Sequence, residues 1–292
     1  LARVLSCHRT GDDSCDCSSC RDFNSLVMPN VVILSQREHA MRIAAAFNLF
    51  EQLETAGSKK ILIHQIRIML MSYHEAFVEN METKKVANFA KAGDVDLLLR
   101  DLEECEIEKC SKLLPKLKKS VDSLIQGSNT RITIDQIRQV GKWTSKTTLT
   151  DLPRIIILEN METSTIGANN SLLKMLEEPA ADTFLILLSE HPKRLLPTIL
   201  SRVQMYHILP VTKKERERIF EDHFFADYHH YQSIEQFILS KADIPLQEIQ
   251  AAAESFISSI ISRQPLNSIQ LGQVCTLVDE KNHLNYFISM VE

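Results

Sequence analysis

Two short apolar runs in the middle of the chain predict two strands of a parallel sheet. They occupy residues 155–158 and 184–188, and each is bounded by polar residues or turn formers. Such runs are typical of strands that are buried on both faces. Between them the apolar positions recur at helical spacing, so we predict one helix from Ile166 to a residue before Pro179. A strand, a helix and a strand in this order form a right-handed crossover unit of an α/β domain.

The residues before this unit predict another strand and a large helical segment. Residues 31–34 form a third apolar run and are a strand candidate. From residue 37 to residue 126 the apolar positions repeat at helical spacing, and we predict a helical insertion there. Asp135 is then predicted to be the N-cap of a helix that turns Ile137 and Val140 inward.

The residues after the crossover unit predict helices only. Thr212 is followed by Glu215 three residues later, which is the pattern of a capping box at a helix start. We predict a small helical domain over residues 211–264. An amphipathic helical segment is predicted to continue over residues 265–292, to the last residue given.

Composition and charge indicate a globular chain of ordinary kind. Hydrophobic residues make up 44% of the 292 residues and charged residues 24%. No apolar run approaches the length of about 18 residues that a membrane span requires. The net charge of −5 gives the chain no overall attraction to DNA, so any contact with nucleic acid would be local or would run through partners.

Four of the seven cysteines lie close together near the start of the chain and suggest a metal site. They are Cys7, Cys15, Cys17 and Cys20, in a polar stretch that reads as a loop. Four thiolates suit tetrahedral Zn²⁺, and four protein ligands make such a site structural rather than catalytic. A single residue separates Cys15 from Cys17, so His8 or an aspartate could replace one ligand. Redox-active thiols, or no special role, are the alternatives.

The crossover unit carries a more specific pattern. Residues 170–179 read NSLLKMLEEP, and they are followed by the strand 184–188, by His191-Pro192 and by TILSR at 198–202. This order resembles the nucleotide-binding core of bacterial DNA polymerase III clamp-loader subunits, with the delta prime subunits as the best match and the gamma/tau subunits second. The four clustered cysteines also resemble a zinc knuckle of this family. The resemblance implies an AAA+ type α/β core with a parallel sheet flanked by helices.

The resemblance implies two site residues in this core. Arg202 stands at the arginine of the family's Ser-Arg-Cys motif, which reaches the phosphates of ATP on a neighbouring subunit; Val203 replaces the cysteine. A guanidinium supplied in trans stabilises the charge that develops during phosphoryl transfer. The alternative interpretation of Arg202 is a surface arginine in a solvated ion pair. Ser189 stands at the position of the family's polar sensor residue, as a degenerate sensor. Because the residues given contain no phosphate-binding loop, a structural role is the favoured interpretation.

The residues expected to bind ATP in this chain itself do not fit an active ATPase. Gly141-Lys142 is followed by Trp143 and cannot be a phosphate-binding loop. Because Leu1 already reads as part of a helix, we expect that the family's first strand and its phosphate loop precede the residues given. Glu159-Asn160 stands where an active member has an Asp-Glu pair for Mg²⁺ and water. Glu162 could replace this pair only if the loop shifted.

The resemblance therefore implies a cytoplasmic, non-catalytic subunit of the replicative DNA polymerase III holoenzyme. It would help to load the sliding clamp on primed DNA together with the gamma/tau and delta subunits, with no membrane involved. Its cofactor would be structural Zn²⁺, while ATP and Mg²⁺ would bind to the neighbouring subunit.

The domains implied are an AAA+ core over residues 1–210, with the knuckle at 7–20 and the insertion at 37–126. A helical lid over 211–264 and the start of a helical collar over 265–292 would follow. The alternatives are an ATP-hydrolysing gamma/tau-type subunit and, from a different class, a zinc-stabilised interaction module unrelated to replication.

Overall fold

The strands of the described residues form one parallel sheet of three. The computed structural model describes residues 1–12, 14–35, 39–77, 83–125, 132–146, 152–223, 234–241, 246–278 and 287. The strands of the described residues are β1 (Val31–Leu34), β2 (Arg154–Leu158) and β3 (Thr183–Leu187), and they lie side by side in this order. Both pairs of neighbours are parallel. The prediction of a parallel sheet is therefore confirmed, with β3 beginning and ending one residue before the predicted run.

Helices form most of the remaining described structure. Their bounds are α1 (Ala2–Leu5), α2 (Ser18–Asn24), α3 (His39–Leu53), α4 (Ala56–Leu70), α5 (Thr83–Glu104), α6 (Ile107–Cys110), α7 (Leu114–Ile125), α8 (Ile134–Thr144), α9 (Ile166–Glu177), α10 (Pro197–Leu200), α11 (Lys213–His223), α12 (Ile234–Leu239), α13 (Leu246–Ser262) and α14 (Ser268–Leu277). The chain separates into two compact units. The first consists of Leu1–His39 and Lys60–Pro210, and the second of Ala40–Lys59 and Val211–Glu292.

Helices cover both faces of the sheet in the first unit. Successive strand residues point to opposite faces, so Val32 and Ile156 lie in one apolar cluster and Val31 and Ile155 in another. Residues of α8, α9 and α10 complete the first cluster. The second cluster is completed by residues of α1 and α2, among them Phe23. The predicted α/β class with a sheet flanked by helices is confirmed.

The crossover helix α9 begins and ends close to the predicted positions. Its N-cap is Thr165, whose hydroxyl oxygen accepts a hydrogen bond from the backbone N–H of Ala168 at 3.2 Å. Leu172 is fully buried against the sheet, and Leu173 and Leu176 are half-buried beside it. Because apolar residues three and four apart share a helix face, the spacing alone identified this side of the helix.

The predicted N-cap of α8 is wrong. Thr133, not Asp135, is the N-cap, because its hydroxyl oxygen accepts from the backbone N–H of Gln136 and the Gln136 side chain accepts from the backbone N–H of Thr133. Asp135 lies in the first turn, where its negative charge favours the helix dipole. Ile137 and Val140 are buried, as predicted.

The described part of the predicted insertion, residues 39–77 and 83–125, is helical as expected. In the first unit α5 and α7 pack side by side, with Leu99, Leu117 and Val121 fully buried. Arg67 of α4 is 3% exposed, and its guanidinium forms ion pairs with Asp96 at 3.2 Å and with Glu103 at 3.0 Å. A buried charge requires such partners, so these pairs fix α4 against α5.

The second unit contains the predicted capping box and a small aromatic core. Thr212 and Glu215 exchange hydrogen bonds at the start of α11, as predicted. The rings of Phe220 and Phe237 lie edge to face, 5.1 Å apart. Of the predicted C-terminal helical segment, the structure describes α14 up to Leu277, and Phe287, which is also helical. Residues 279–286 and 288–292 of that prediction lie outside the described part of the chain.

None of the described helices combines the length and the apolar character needed to cross a membrane.

Candidate functional site

A tight loop between α1 and α2 brings the four predicted cysteines together. Cys7 follows α1, Cys17 is the N-cap residue of α2, and Cys20 lies in the first turn of that helix. The loop also depends on Gly11, which has a φ of +68°. A Cβ at this position would lie 3.1 Å from Val4 Cγ1, so the glycine allows both the turn and the close approach to α1.

The four sulfur atoms have the spacing of a tetrahedral metal site. All four lie within 4.8 Å of one another, and the Sγ atom of Cys7 is 3.6 Å from that of Cys15 and 3.8 Å from that of Cys17. Tetrahedral Zn²⁺ with Zn–S bonds of about 2.3 Å places its sulfur ligands about 3.8 Å apart. Among the described residues neither His8 nor an aspartate belongs to this group. The donor set therefore fits a structural Zn²⁺ ion.

The thiols of this group differ in acidity. The backbone N–H of Cys17 lowers the pKa of the Cys15 thiol to about 6, so Cys15 is largely a thiolate at neutral pH. The backbone N–H of Cys20 likewise lowers the pKa of Cys17. Burial and the neighbouring thiols raise the pKa of Cys20 to about 12. A divalent cation binds thiolates, so it would release the proton that Cys20 retains in the absence of metal.

At the carboxyl ends of β2 and β3, a carboxylate joins the two loops that follow the strands. Asn160 has a φ of 53° and leads into the single helical turn Met161–Thr163. The Oε1 atom of Glu162 accepts a hydrogen bond from the backbone N–H of Glu190 at 3.2 Å. The predicted sensor Ser189 lies in the same loop as Glu190, and its Oγ accepts from the backbone N–H of His191 at 3.2 Å.

The environment of Glu162 favours its ionised form. Burial alone would raise the pKa of this carboxyl group, but hydrogen bonds outweigh it and hold the pKa below the ordinary value of 4.5. Oε1 accepts from the backbone N–H of Glu190, whereas Oε2 is buried without a hydrogen-bond partner among the described residues. The backbone of Glu162 itself, the hydroxyl of Ser189 and the backbone of His191 also favour the negative charge. Glu162 thus acts as a brace between the two loops, a role that sequence spacing did not reveal.

Arg202 lies at the surface, directly after α10. The side chain of Arg202 is 36% exposed, whereas Val203 packs against the main apolar cluster of the sheet. The Nη2 atom of Arg202 forms an ion pair with Glu177 Oε1 at 2.8 Å. The Nη1 atom donates to the backbone carbonyl of Thr198 at 2.9 Å and to Ser201 Oγ at 3.2 Å. The isolated chain thus contains the surface ion pair that the alternative interpretation of Arg202 expected.

Glu177 is the ion-pair partner of Arg202, which the sequence motif did not indicate. It is the last residue of α9, and its side chain is 49% exposed. The motif contains two successive glutamates, Glu177 and Glu178, and nothing in the sequence distinguishes them. Only the packing of α10 beside α9 selects Glu177 as the partner of Arg202.

Comparisons with known proteins agree with the predicted resemblance. Residues 79–212 match a family model described as "DNA polymerase III, delta subunit". The chain is 44% identical to the DNA polymerase III subunit delta' of Pseudomonas aeruginosa over 71 residues, which are 24% of this chain and 22% of that protein. It is 39% identical to the subunit delta' of Bacillus subtilis over 94 residues, which are 32% of this chain and 29% of that protein.

These matches are local. They span less than a third of the length of the two curated relatives. A solved structure described as a DNA polymerase III, gamma subunit-related protein from Thermotoga maritima is 17% identical and covers 67% of this chain and 77% of its own, with a TM-score of 0.29. This structural likeness is too low to support an inference.

Proposed function

We propose that this chain, which is similar to the delta prime subunits of bacterial DNA polymerase III, is a clamp-loader subunit that does not itself hydrolyse ATP. In this proposal it assembles with gamma/tau and delta subunits and helps to load the sliding clamp on primed DNA. Its own contribution is Arg202, supplied to ATP and Mg²⁺ bound by a neighbouring subunit. The observation that carries the proposal is that Arg202 stands at the motif position and at the surface, with its side chain 36% exposed.

The backbone around Arg202 suits a residue that acts across a boundary. Val203 packs inward and Ile199 is fully buried, so the chain on either side of the arginine is anchored. A long, planar and permanently charged side chain on an anchored backbone can reach a phosphate oxygen of a second protein. Position and charge together therefore support an arginine finger.

The residues at the carboxyl ends of the strands support the absence of ATP hydrolysis. Asn160 offers an amide where an anionic Mg²⁺ ligand would be needed. The Glu162 carboxylate is held by groups of its own loop and the following one, which leaves it in a structural role. Ser189 belongs to the same hydrogen-bonded group, and we propose that it, too, is structural.

The zinc site and the domain division complete the proposal. Zn²⁺ bound by the four cysteines would supply a crosslink between α1 and α2, and no catalysis. Residues 1–210 would form an AAA+ core, with the knuckle at 7–20 and the helical insertion at 37–126. Residues 211–264 would form the lid and residues 265–292 the start of a collar that joins the subunits.

Reconstitution tests this function. The chain is mixed with gamma/tau and delta subunits, and assembly is followed by size-exclusion chromatography with light scattering. We expect a stable complex whose loading of the clamp on primed DNA depends on this chain, and no ATP turnover by the chain alone. Turnover by the isolated chain would instead indicate the gamma/tau-type alternative, and failure to enter the complex would exclude a clamp-loader role.

A further inference from the structure

The guanidinium of Arg202 is held by acceptors of its own chain. Its Nη2 atom is paired with Glu177, and its Nη1 atom donates to the carbonyl of Thr198 and to the hydroxyl of Ser201. Thr198 lies four residues before Arg202, so the side chain folds back along α10 instead of extending away from it. Both terminal nitrogens that a phosphate group would bind are therefore already engaged.

The packing of α9 and α10 fixes the position of Glu177 relative to Arg202. It ends α9, whose residues Leu172 and Leu176 pack against the sheet cluster, and α10 contributes Ile199 to the same cluster. The Glu177 carboxylate at the end of α9 and the Arg202 guanidinium just after α10 are thus held by two helices that pack on the same apolar cluster. The next residue, Glu178, is already outside the helix and has a non-helical backbone, with φ −129° and ψ 70°.

We propose that Glu177 is a positioning residue, and this inference rests on the function proposed above. Glu177 holds the guanidinium of Arg202 until the terminal phosphate of the neighbour's ATP replaces Glu177 as its partner. The two acceptors differ in strength. Ion pairs that are partly exposed to water are weak, and the Glu177 carboxylate carries a single charge. A terminal phosphate carries more charge and offers three oxygens to the planar guanidinium, so it competes successfully.

This arrangement gives Arg202 a preference for a bound triphosphate. A nucleotide without the terminal phosphate offers no such acceptor within reach of the same group, so the pair with Glu177 persists. The exchange requires no covalent step and no proton transfer. Glu177 should therefore affect the ATP concentration at which the neighbouring site becomes active, and leave the rate of the fully occupied site unchanged.

The test compares Glu177→Gln with Glu178→Gln in the reconstituted complex. Glutamine keeps the size of the side chain and removes the competing charge. We expect E177Q to lower the apparent KM for ATP by about two- to fivefold, with kcat unchanged. E178Q should leave both constants unchanged. A loss of kcat in E177Q would mean that Glu177 aligns the arginine for catalysis, and an unchanged KM would mean that the pair has no role; either result overturns the proposal.

Arg202→Ala separates this inference from the proposed function. In the R202A background E177Q should have no further effect, because the held group is absent. If R202A alone retains full ATP turnover, the proposed role of Arg202 as an arginine finger is rejected, and the proposed role of Glu177 is rejected with it. If R202A is inactive while E177Q matches the unaltered complex, only the role of Glu177 is rejected.

Discussion

At the scale of single residues, sequence spacing predicts which cysteines of this chain form a group, but it does not predict the geometry of that group. The sequence singled out all four members of the sulfur group, because thiols are scarce and four of them occur within a short polar stretch. The single residue between Cys15 and Cys17 made the geometry uncertain. In the structure Cys17 is an N-cap with φ −58° and ψ 161°, and its sulfur lies 3.8 Å from that of Cys7 and within 4.8 Å of all three others.

The metal prediction can be tested with two buried cysteines. Cys20 and Cys110 are both fully buried, but only Cys20 belongs to the sulfur group. Cys20→Ser should reduce the bound zinc to below about a tenth of an equivalent and lower the thermal unfolding midpoint, because three ligands do not close a structural site. Cys110→Ser should retain about one zinc per chain, as measured by native mass spectrometry. Full zinc content in C20S would contradict the assignment.

The brace formed by Glu162 predicts a dependence of stability on pH. Its pKa is lower in the folded chain than the ordinary 4.5, so the ionised carboxylate stabilises the fold above that pH, and the contribution is lost as the pH falls further. Glu162→Gln should therefore lower the urea midpoint at pH 7 and approach the unaltered chain in acid. The exposed neighbour Glu190→Gln is the control. A difference that grows as the pH falls would contradict the brace.

At the scale of the helices and strands, periodicity predicted the type of each element better than its ends. The strands and α9 were found within a residue or two, because each is an apolar pattern with clear boundaries. The N-cap of α8 was missed because Asp135 and Thr133 are both good capping residues. The reciprocal bonds with Gln136 decide between them, and such bonds depend on the backbone geometry rather than on residue type.

The corrected cap gives a direct test. Thr133→Ala removes the acceptor for the N–H of Gln136 and should lower the free energy of unfolding by about 1 kcal/mol. Asp135→Ala removes an exposed charge in the first turn and its long, exposed ion pair with Arg138 at 3.8 Å, and it should cost less than about 0.5 kcal/mol. Urea unfolding followed by circular dichroism measures both values. An equal or larger cost for D135A would restore Asp135 as the cap.

The packing of α5 against α7 can be tested in the same way. Leu99 is fully buried and Leu97, two residues before it on the same helix, is 60% exposed. Leu99→Ala should lower the free energy of unfolding by about 2–5 kcal/mol, because it leaves a cavity. Leu97→Ala should change it by less than about 0.5 kcal/mol. Similar costs for the two variants would show that the described packing of α5 is wrong.

At the scale of the whole molecule, the sequence predicted the class of fold but not the grouping of distant segments. Residues 40–59 fall within the predicted insertion, yet they belong to the same compact unit as Val211–Glu292. Helical spacing shows which face of α3 is apolar and cannot show which remote helices cover it. The same limit applies to Glu177, whose partner lies 25 positions further along the chain.

Arg202 is proposed to complete an ATP site on a neighbouring subunit. The most direct measurement is the ATP turnover of the reconstituted complex, with clamp and primed DNA, for Arg202→Ala and for the exposed control Arg194→Ala. R202A should leave assembly intact and reduce turnover at the affected site by about 10³-fold or more, while R194A keeps the rate of the unaltered complex. An assembled R202A complex with undiminished turnover would contradict the account.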